Sequence, residues 1–371
     1  MESISIYFHI PYCKRKCHYC NFHFSTNLST AKELYESMLL EIHTRLSKLG
    51  SKVVKTIYFG GGTPSLFPPD KISNLIQTVG QYLILDKVEE ISLEANPEDI
   101  NHDYLLGLKQ IGINRLSLGV QSFDNSALEW MNRGHTVSQS EIAIQKILES
   151  TLDLSIDLIY GIPQSSHEQW RLSLEKMNEY QIKHFSAYAL TVEENTKLHH
   201  EVFQKKSISM NDEFTCEQMD ILLDFCELND YEDYEISNFC KTGFRAKHNA
   251  LYWQQQPYLG FGPAAHSFLN DYRSWNIANN NQYISLLKEG KPFMNSEKLT
   301  QENKWNEFIM LNLRKKEGIC INSIPDSQNK NKFIQKLKQL HQEDMLILQN
   351  DCYTLSRKGK HIADFITLQL L

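Results

Sequence analysis

Six times along the first 190 residues, a short β-rich run gives way to a longer stretch with helical spacing. The runs are ISIYFHI (4–10), KTIYF (55–59), EISLEAN (90–96), RLSLGVQSF (115–123), LSIDLIYGI (154–162) and HFSAYAL (184–190). After the first, Leu34, Met38, Ile42, Leu46 and Leu49 recur at three- and four-residue intervals, which predicts an amphipathic helix. Further helices are predicted over 70–84, 102–110, across 125–149, over 167–180 and over 212–228. Strands alternating with helices of this length imply an α/β fold, a parallel sheet with right-handed crossovers. Six units suffice for an incomplete (β/α)6 barrel; a flat doubly wound sheet is the alternative.

From residue 231 the rhythm changes. YEDYEISNF (231–239) alternates like a strand, and the aromatic, Gly-rich stretch KHNALYWQQQPYLGFGPAAHSFL (247–269) follows. The polar KEGKPFMNSEK (288–298) reads as a linker. Beyond it, helices are predicted near 300–316 and 328–343. MLILQNDCYTLS then reads as a hairpin about an Asn-Asp turn, before a closing helix over 357–370. The pattern divides the chain into 1–230, an extension over 231–290, and a small helix–hairpin domain of winged-helix type over 291–371. Nothing in that last segment looks catalytic.

Composition removes several classes of function. Hydrophobic content of 41% and charged content of 22% are those of a globular chain, which argues against disorder. No run of about 18 apolar residues is present, so no transmembrane segment is predicted. MESISIYFHI lacks a basic n-region and reads as a first strand instead of a signal peptide, which places the chain in the cytoplasm. A net charge of -7 argues against a nucleic-acid partner. Residues 296–371 carry 12 Lys+Arg against 9 Asp+Glu, a mildly basic tail.

The cysteines change the picture more. Three of eight fall in IPYCKRKCHYCNF (10–22), as Cys13, Cys17 and Cys20. An odd number suits disulfides badly, and reducing compartments disfavour them. Structural zinc wants four closed ligands, and no second Cys or His pair stands nearby. A metal cluster with one open position is the best candidate, against a chance grouping. Cys216, Cys226, Cys240, Cys320 and Cys352 are scattered, as buried small hydrophobes are. The other unusual residues fall just after predicted strands: the cysteine loop, GGGTP (60–64), Glu94, Gln121, Asp157 and the YGIP turn. In β/α barrels that end carries the active site. Glycines there admit close backbone approach to a ligand. Glu94 suits an amino group or ribose, and Asp157 suits ribose hydroxyls; each also reads as an ordinary solvated or capping carboxylate, and Tyr7 as a half-buried strand aromatic.

C-x3-C-x2-C on one loop, with GGGTP after the second strand, resembles the radical S-adenosylmethionine (SAM) superfamily. That resemblance implies a [4Fe–4S] cluster on Cys13, Cys17 and Cys20. SAM would chelate the open iron, and reductive cleavage of a C–S bond would give a 5′-deoxyadenosyl radical. YFHIPYCKRKCHYCNF, GGGTPSLF, SLEANPEDI, RLSLGVQSFDNSALEWMNRGHT and DLIYGIP together resemble the oxygen-independent coproporphyrinogen III dehydrogenase family, which includes a haem-chaperone branch, HemW. By that resemblance Tyr7, Tyr19, Gly61 and Glu94 contact cluster-bound SAM. Gly62, Thr63, Gln121, Arg133 and Asp157, with Ala189 and His266, match a second SAM site of the dehydrogenase branch.

Two departures favour the chaperone branch. The dehydrogenase motif continues to a fourth cysteine where this chain has Phe22, and only twelve residues precede Cys13. HNALYW (248–253) resembles the haem-binding motif of that branch, which implies haem contact by His248, Asn249, Tyr252 and Trp253. If the stretch is helical, His248 and Tyr252 share one face, and imidazole is a common axial haem ligand. An isolated histidine beside aromatics also reads as a satisfied, partly buried one, and His266, Cys216 and Cys226 are competing ligands. The expectation is a carrier that passes haem to an acceptor apoprotein, which the resemblance places among respiratory proteins at a membrane. The alternatives are coproporphyrinogen III decarboxylation and another radical SAM reaction.

Overall fold

The computed structural model describes residues 2–327 and 329–371. Six parallel strands with intervening helices come first. They run β1 Ser3–Ile10, α1 Ala31–Leu46, β2 Val53–Gly61, α2 Pro69–Gly80, β3 Glu90–Ala95, α3 His102–Gln110 and β4 Arg115–Gln121. α4 Asn125–Trp130, α5 Val137–Glu149, β5 Asp153–Tyr160, α6 His167–Glu179 and β6 His184–Ala189 follow, with the short α7 Lys197–His199 and α8 Asp212–Leu228 after them. Next come β7 Glu232–Glu235, β8 Asn238–Cys240, α9 Lys247–Trp253, β9 Tyr258–Phe261, β10 His266–Leu269, β11 Tyr272–Asn276, α10 Asn280–Lys288 and β12 Met294–Lys298. The C-terminal part holds α11 Gln301–Arg314, β13 Ile319–Cys320, α12 Lys330–Gln342, β14 Leu346–Gln349, β15 Cys352–Leu355, α13 Arg357–His361 and α14 Ala363–Leu370.

One twelve-stranded sheet runs β12-β11-β10-β9-β1-β2-β3-β4-β5-β6-β8-β7. Its two edges do not pair with one another, so the parallel part is a partial barrel and not a closed one. Side chains alternate across these strands. Ile4, Ile6, Phe8, Ile57, Phe59, Leu93, Leu116, Ile156 and Phe185 are buried against the helices. The alternate residues form a polar lumen. Thr56 bonds Ser5 at 2.9 Å, Tyr58 bonds Glu94 at 2.9 Å, and Ser155 meets His184 at 2.6 Å. Such a lining leaves hydrogen-bonding groups to hold a polar ligand at the open end, where an apolar barrel core would leave none.

The C-terminal part has its own buried cluster, including Ile309, Leu313, Phe333, Leu337, Tyr353 and Ile366. Its three strands order β13-β15-β14, and positive φ at Asn350 and Asp351 makes the tight hairpin turn that Asn-Asp predicts. The structure departs from the sequence reading in five places. The supposed linker contains β12, which pairs with β11 from Met294 to Lys298 through backbone bonds that its exposed polar side chains do not advertise. YEDYEISNF is two paired strands. The closing helix breaks at Ile362 (φ −128°) into α13 and α14. The helix predicted from 328 begins at Lys330; Gln328 itself lies outside the described residues. Cys320 and Cys352 are not lone buried residues: they sit opposite each other on β13 and β15 and form a disulfide.

Candidate cluster and cofactor site

A cavity of ≈ 790 Å³ opens at the C-terminal ends of the parallel strands. Its floor and one wall are the cysteine loop, pinned at both ends. Ser25 N–H donates to Pro11 O (2.9 Å), Cys13 N–H to Ser25 O (3.1 Å) and His18 N–H to Met131 O (3.1 Å). Cys13, Cys17 and Cys20 are free, half-buried and all line the cavity. Burial pushes the Cys13 thiol up to about 11 and raises Cys20 as well; bound iron would reverse this, because a coordinating thiol is deprotonated. Thr63 Oγ1 donates to Cys13 Sγ (3.5 Å) and Arg133 Nη1 to Cys17 Sγ (3.4 Å), so two sulfurs meet donors that favour thiolate. Among the described residues, no three His, Cys, Asp or Glu side chains are arranged around a single ion. Three free thiols on one cavity wall suit a cluster that keeps one iron open.

Above the loop, the glycine run is forced by packing as well as by ligand approach. A Cβ at Gly62 would lie 2.6 Å from the Tyr12 carbonyl oxygen, and Gly61 has φ +112° with the His9 ring beneath it. Glu94 reaches this turn from β3: its Oε2 accepts Gly61 N–H (3.1 Å) and its Oε1 the Tyr58 hydroxyl (2.9 Å). Burial raises the Glu94 carboxyl to about 7, opposed by the Tyr58 bond and reinforced by the nearby Asp157 charge. Asp157, also raised by burial, accepts Ser117 Oγ at 3.2 and 3.3 Å. Two half-buried carboxylates facing a cavity suit a ligand bearing an ammonium group and hydroxyls.

Arg133 Nη2 donates to Asn96 Oδ1 (2.7 Å) and Gly119 O (2.8 Å), while its buried Nε has no partner. Gln121, at φ 65° where β4 ends, Tyr19, Thr63 and Ala189 line the same cavity. Tyr7 does not: it stacks on Tyr58 behind Glu94 (6.1 Å, 21°), its hydroxyl 3.1 Å from His9 Nδ1. His266 stands elsewhere, exposed on β10 against Trp275. Sequence reasoning missed Asn96, whose side chain bonds both Arg133 and Thr63. It also missed the C-terminal part, whose Arg314 and residues 360–365 form the far wall. Arg357 ties that wall to Asp220 and Asp224 of α8, each at 2.6 Å. Phe365, 56% exposed, and Ile362 give the mouth an apolar lip. No local pattern announces such a contribution; it arises from docking one part on another.

The haem expectation for HNALYW meets a different geometry. The stretch is helical, as α9, but it lies at the opposite end of the lumen. His248 is 1% exposed; its Nδ1 is 2.7 Å from Thr56 Oγ1 and its Nε2 2.8 Å from the Tyr252 hydroxyl. Burial takes the imidazole down to about 3, so it is neutral. With both nitrogens engaged, neither is free for iron in this conformation. Tyr252 is consumed in the same bond, and Trp253 carries the Arg314 guanidinium at 5.7 Å. None of the four motif residues lines the cavity. Of the competing ligands, Cys226 is buried and only Cys216 shares the cavity wall.

A partial β/α barrel with a C-x3-C-x2-C loop, a glycine turn and inward carboxylates defines a radical SAM protein, and residues 7–177 match the radical SAM superfamily. Residues 299–361 match the HemN C-terminal domain. Over 97% of both chains, the sequence is 30% identical to the heme chaperone HemW of Bacillus subtilis. It is 31% identical to that of Buchnera aphidicola subsp. Acyrthosiphon pisum over 98% of this chain and 97% of the other. The chain belongs to the HemW family. In fold it is similar to coproporphyrinogen III oxidase (HemN) from Escherichia coli, with a TM-score of 0.85 at 20% identity over 100% of this chain and 90% of that one. Membership of the radical SAM superfamily implies a [4Fe–4S] cluster and SAM.

Proposed function

We propose that this protein binds haem and hands it to an acceptor protein, with the cluster and SAM held in the barrel cavity. The observation that carries the reading is the end-to-end likeness to proteins named heme chaperones. Phe22, 69% exposed at the cavity rim where the dehydrogenase branch has a fourth cysteine, agrees with it. A [4Fe–4S] cluster with one open iron, when bound and reduced, would supply an electron to SAM. The chain's own residues do the rest: Cys13, Cys17 and Cys20 ligate, and Glu94 with the Gly61–Gly62 turn orients an amino group. Asp157 takes hydroxyls, Arg133 steadies the Cys17 thiolate, and α14 limits water at the mouth. Iron ligation by His248 requires the Tyr252 hydroxyl to release Nε2, while Nδ1–H can stay on Thr56; Cys216 needs no such opening.

The acceptor in this reading is a respiratory protein reached from the cytoplasm; no described helix is long and apolar enough to cross a membrane. Residues 1–230, 231–290 and 291–371 serve as cofactor barrel, lumen plug and docking part. An anaerobic haem titration followed at the Soret band tests the reading, with wild type beside His248→Ala and Cys216→Ala. Saturation near one haem per chain is expected. Absence of a saturable change in wild type sinks it, and coproporphyrinogen III turnover with SAM and a reductant becomes the leading assay.

A further inference from the structure

We propose that His248 and Tyr252 are positioning residues for the SAM site: through Tyr58 they set the carboxylate of Glu94. This rests on the reading of the cavity as the SAM site and not on haem binding. The argument is a continuous set of contacts from one end of the lumen to the other. At the closed end, Glu90 of β3 accepts the N–H groups of Lys247 (2.7 Å) and His248 (2.9 Å), which anchors the first turn of α9. Ala246, the residue before that turn, offers no side-chain cap, so the acceptor comes from the barrel.

Anchored there, His248 has its ring chemistry decided by its neighbours. Thr56 Oγ1 donates to Ser5 Oγ, so it accepts from Nδ1–H of His248, and Nε2 is left to accept the Tyr252 hydroxyl. One tautomer and one ring orientation satisfy both bonds. The imidazole lies stacked against the Tyr58 ring, centroids 5.0 Å apart at 26°, and Tyr7 stacks on Tyr58 as well. Tyr58 thereby has its ring plane fixed and its hydroxyl aimed at Glu94 Oε1 (2.9 Å). Gly61 N–H holds the other oxygen, so the carboxylate has two attachment points, and its remaining lone pairs face the cavity. Glu90 and Glu94 stand four residues apart on one face of β3. The strand therefore carries both ends of the linkage, the anchor of α9 and the ligand-facing carboxylate. Any movement of α9, including one that frees His248 for iron, is transmitted to Glu94.

The experiment uses cluster-reconstituted full-length protein and measures SAM dissociation constants by equilibrium gel filtration. The spectral change of the reduced cluster on SAM addition is a second readout. Tyr58→Phe keeps the ring and removes the bond to Glu94; affinity for SAM should fall on the order of tenfold, as for loss of a hydrogen bond to a charged group. His248→Ala should fall comparably with cluster content unchanged, and the double variant should be no worse than Tyr58→Phe, because both act on one carboxylate. A folded His248→Ala protein with wild-type SAM affinity overturns the proposal, as does strict additivity of the two. Should His248→Ala fail to fold, Tyr252→Phe, which loses one hydroxyl, decides the matter: several-fold weaker SAM binding is expected, and none overturns it. Wild type that binds no SAM refutes the cavity reading itself. A plain haem-ligand role separates cleanly, since His248→Ala would then lose haem and keep SAM affinity.

Discussion

Two polar clusters lie at opposite ends of one lumen, and they differ in what is left over. At the open end, Arg133 Nε is buried without a partner, Glu94 keeps acceptor capacity toward a cavity, and three thiols are unpaired. At the closed end, Thr56, His248, Tyr252 and Glu90 satisfy one another, and none of them lines that cavity. Buried polar groups are bonded as a rule, so the unsatisfied end is the one built for a ligand. The satisfied end is built to hold shape. Richness in aromatics and histidine does not tell these apart; spare bonding capacity does.

The contrast can be broken by experiment, and the largest effect belongs to the open end. Cys17→Ala should abolish cluster assembly, read as loss of iron, sulfide and the brown visible absorption, while far-ultraviolet circular dichroism stays native. Glu94→Gln comes next, with SAM affinity lowered by about one to two orders of magnitude for loss of a charge-assisted bond. This variant also sharpens a pH dependence. A carboxyl raised from 4.5 to about 7 contributes stability that is fully present below about 4.5 and lost as pH rises through 7. The melting temperature of wild type should therefore decline across that window more steeply than that of Glu94→Gln. Ligation runs the other way, since the ionised Glu94 that attracts an ammonium group predominates only above about 7, so SAM affinity in wild type should rise toward alkaline pH.

Gly62→Ala is smaller. Its Cβ would meet the Tyr12 backbone at 2.6 Å, so a loss of about 1–3 kcal/mol is expected from urea unfolding, with a displaced cysteine loop and partial cluster occupancy. Glu90→Gln at the closed end is smallest. One of the two α9 N–H bonds survives, and about 1 kcal/mol of stability is expected to go, while cluster content stays at the wild-type level. If Glu90→Gln instead removed the cluster, the distinction between the two ends would fall.

Much of the open end was legible beforehand because its signals are local. The three cysteines sit within eight residues, GGGTP marks a turn after a strand, and Glu94, Gln121 and Asp157 each stand within a β run that periodicity finds. All of them line the cavity. What was not legible came from pairing between distant segments. The exposed, polar β12 has no apolar period to betray it and becomes a strand only because β11 offers a free edge. Cys320 and Cys352 look like any scattered cysteines until β13 and β15 come into register. The mouth of the cavity depends on where α13 and α14 dock, which the Arg357 contacts to α8 decide.

By itself the sequence determined the class of fold and singled out the three clustered cysteines and the carboxylates, because each follows from spacing within one element or one loop. The tertiary structure alone decided what HNALYW does in this conformation. His248 meets Thr56 across 192 residues of sequence and stacks on Tyr58 beyond it. A ring nitrogen is a ligand or a strut according to whether a neighbour has already taken it, and here both neighbours have.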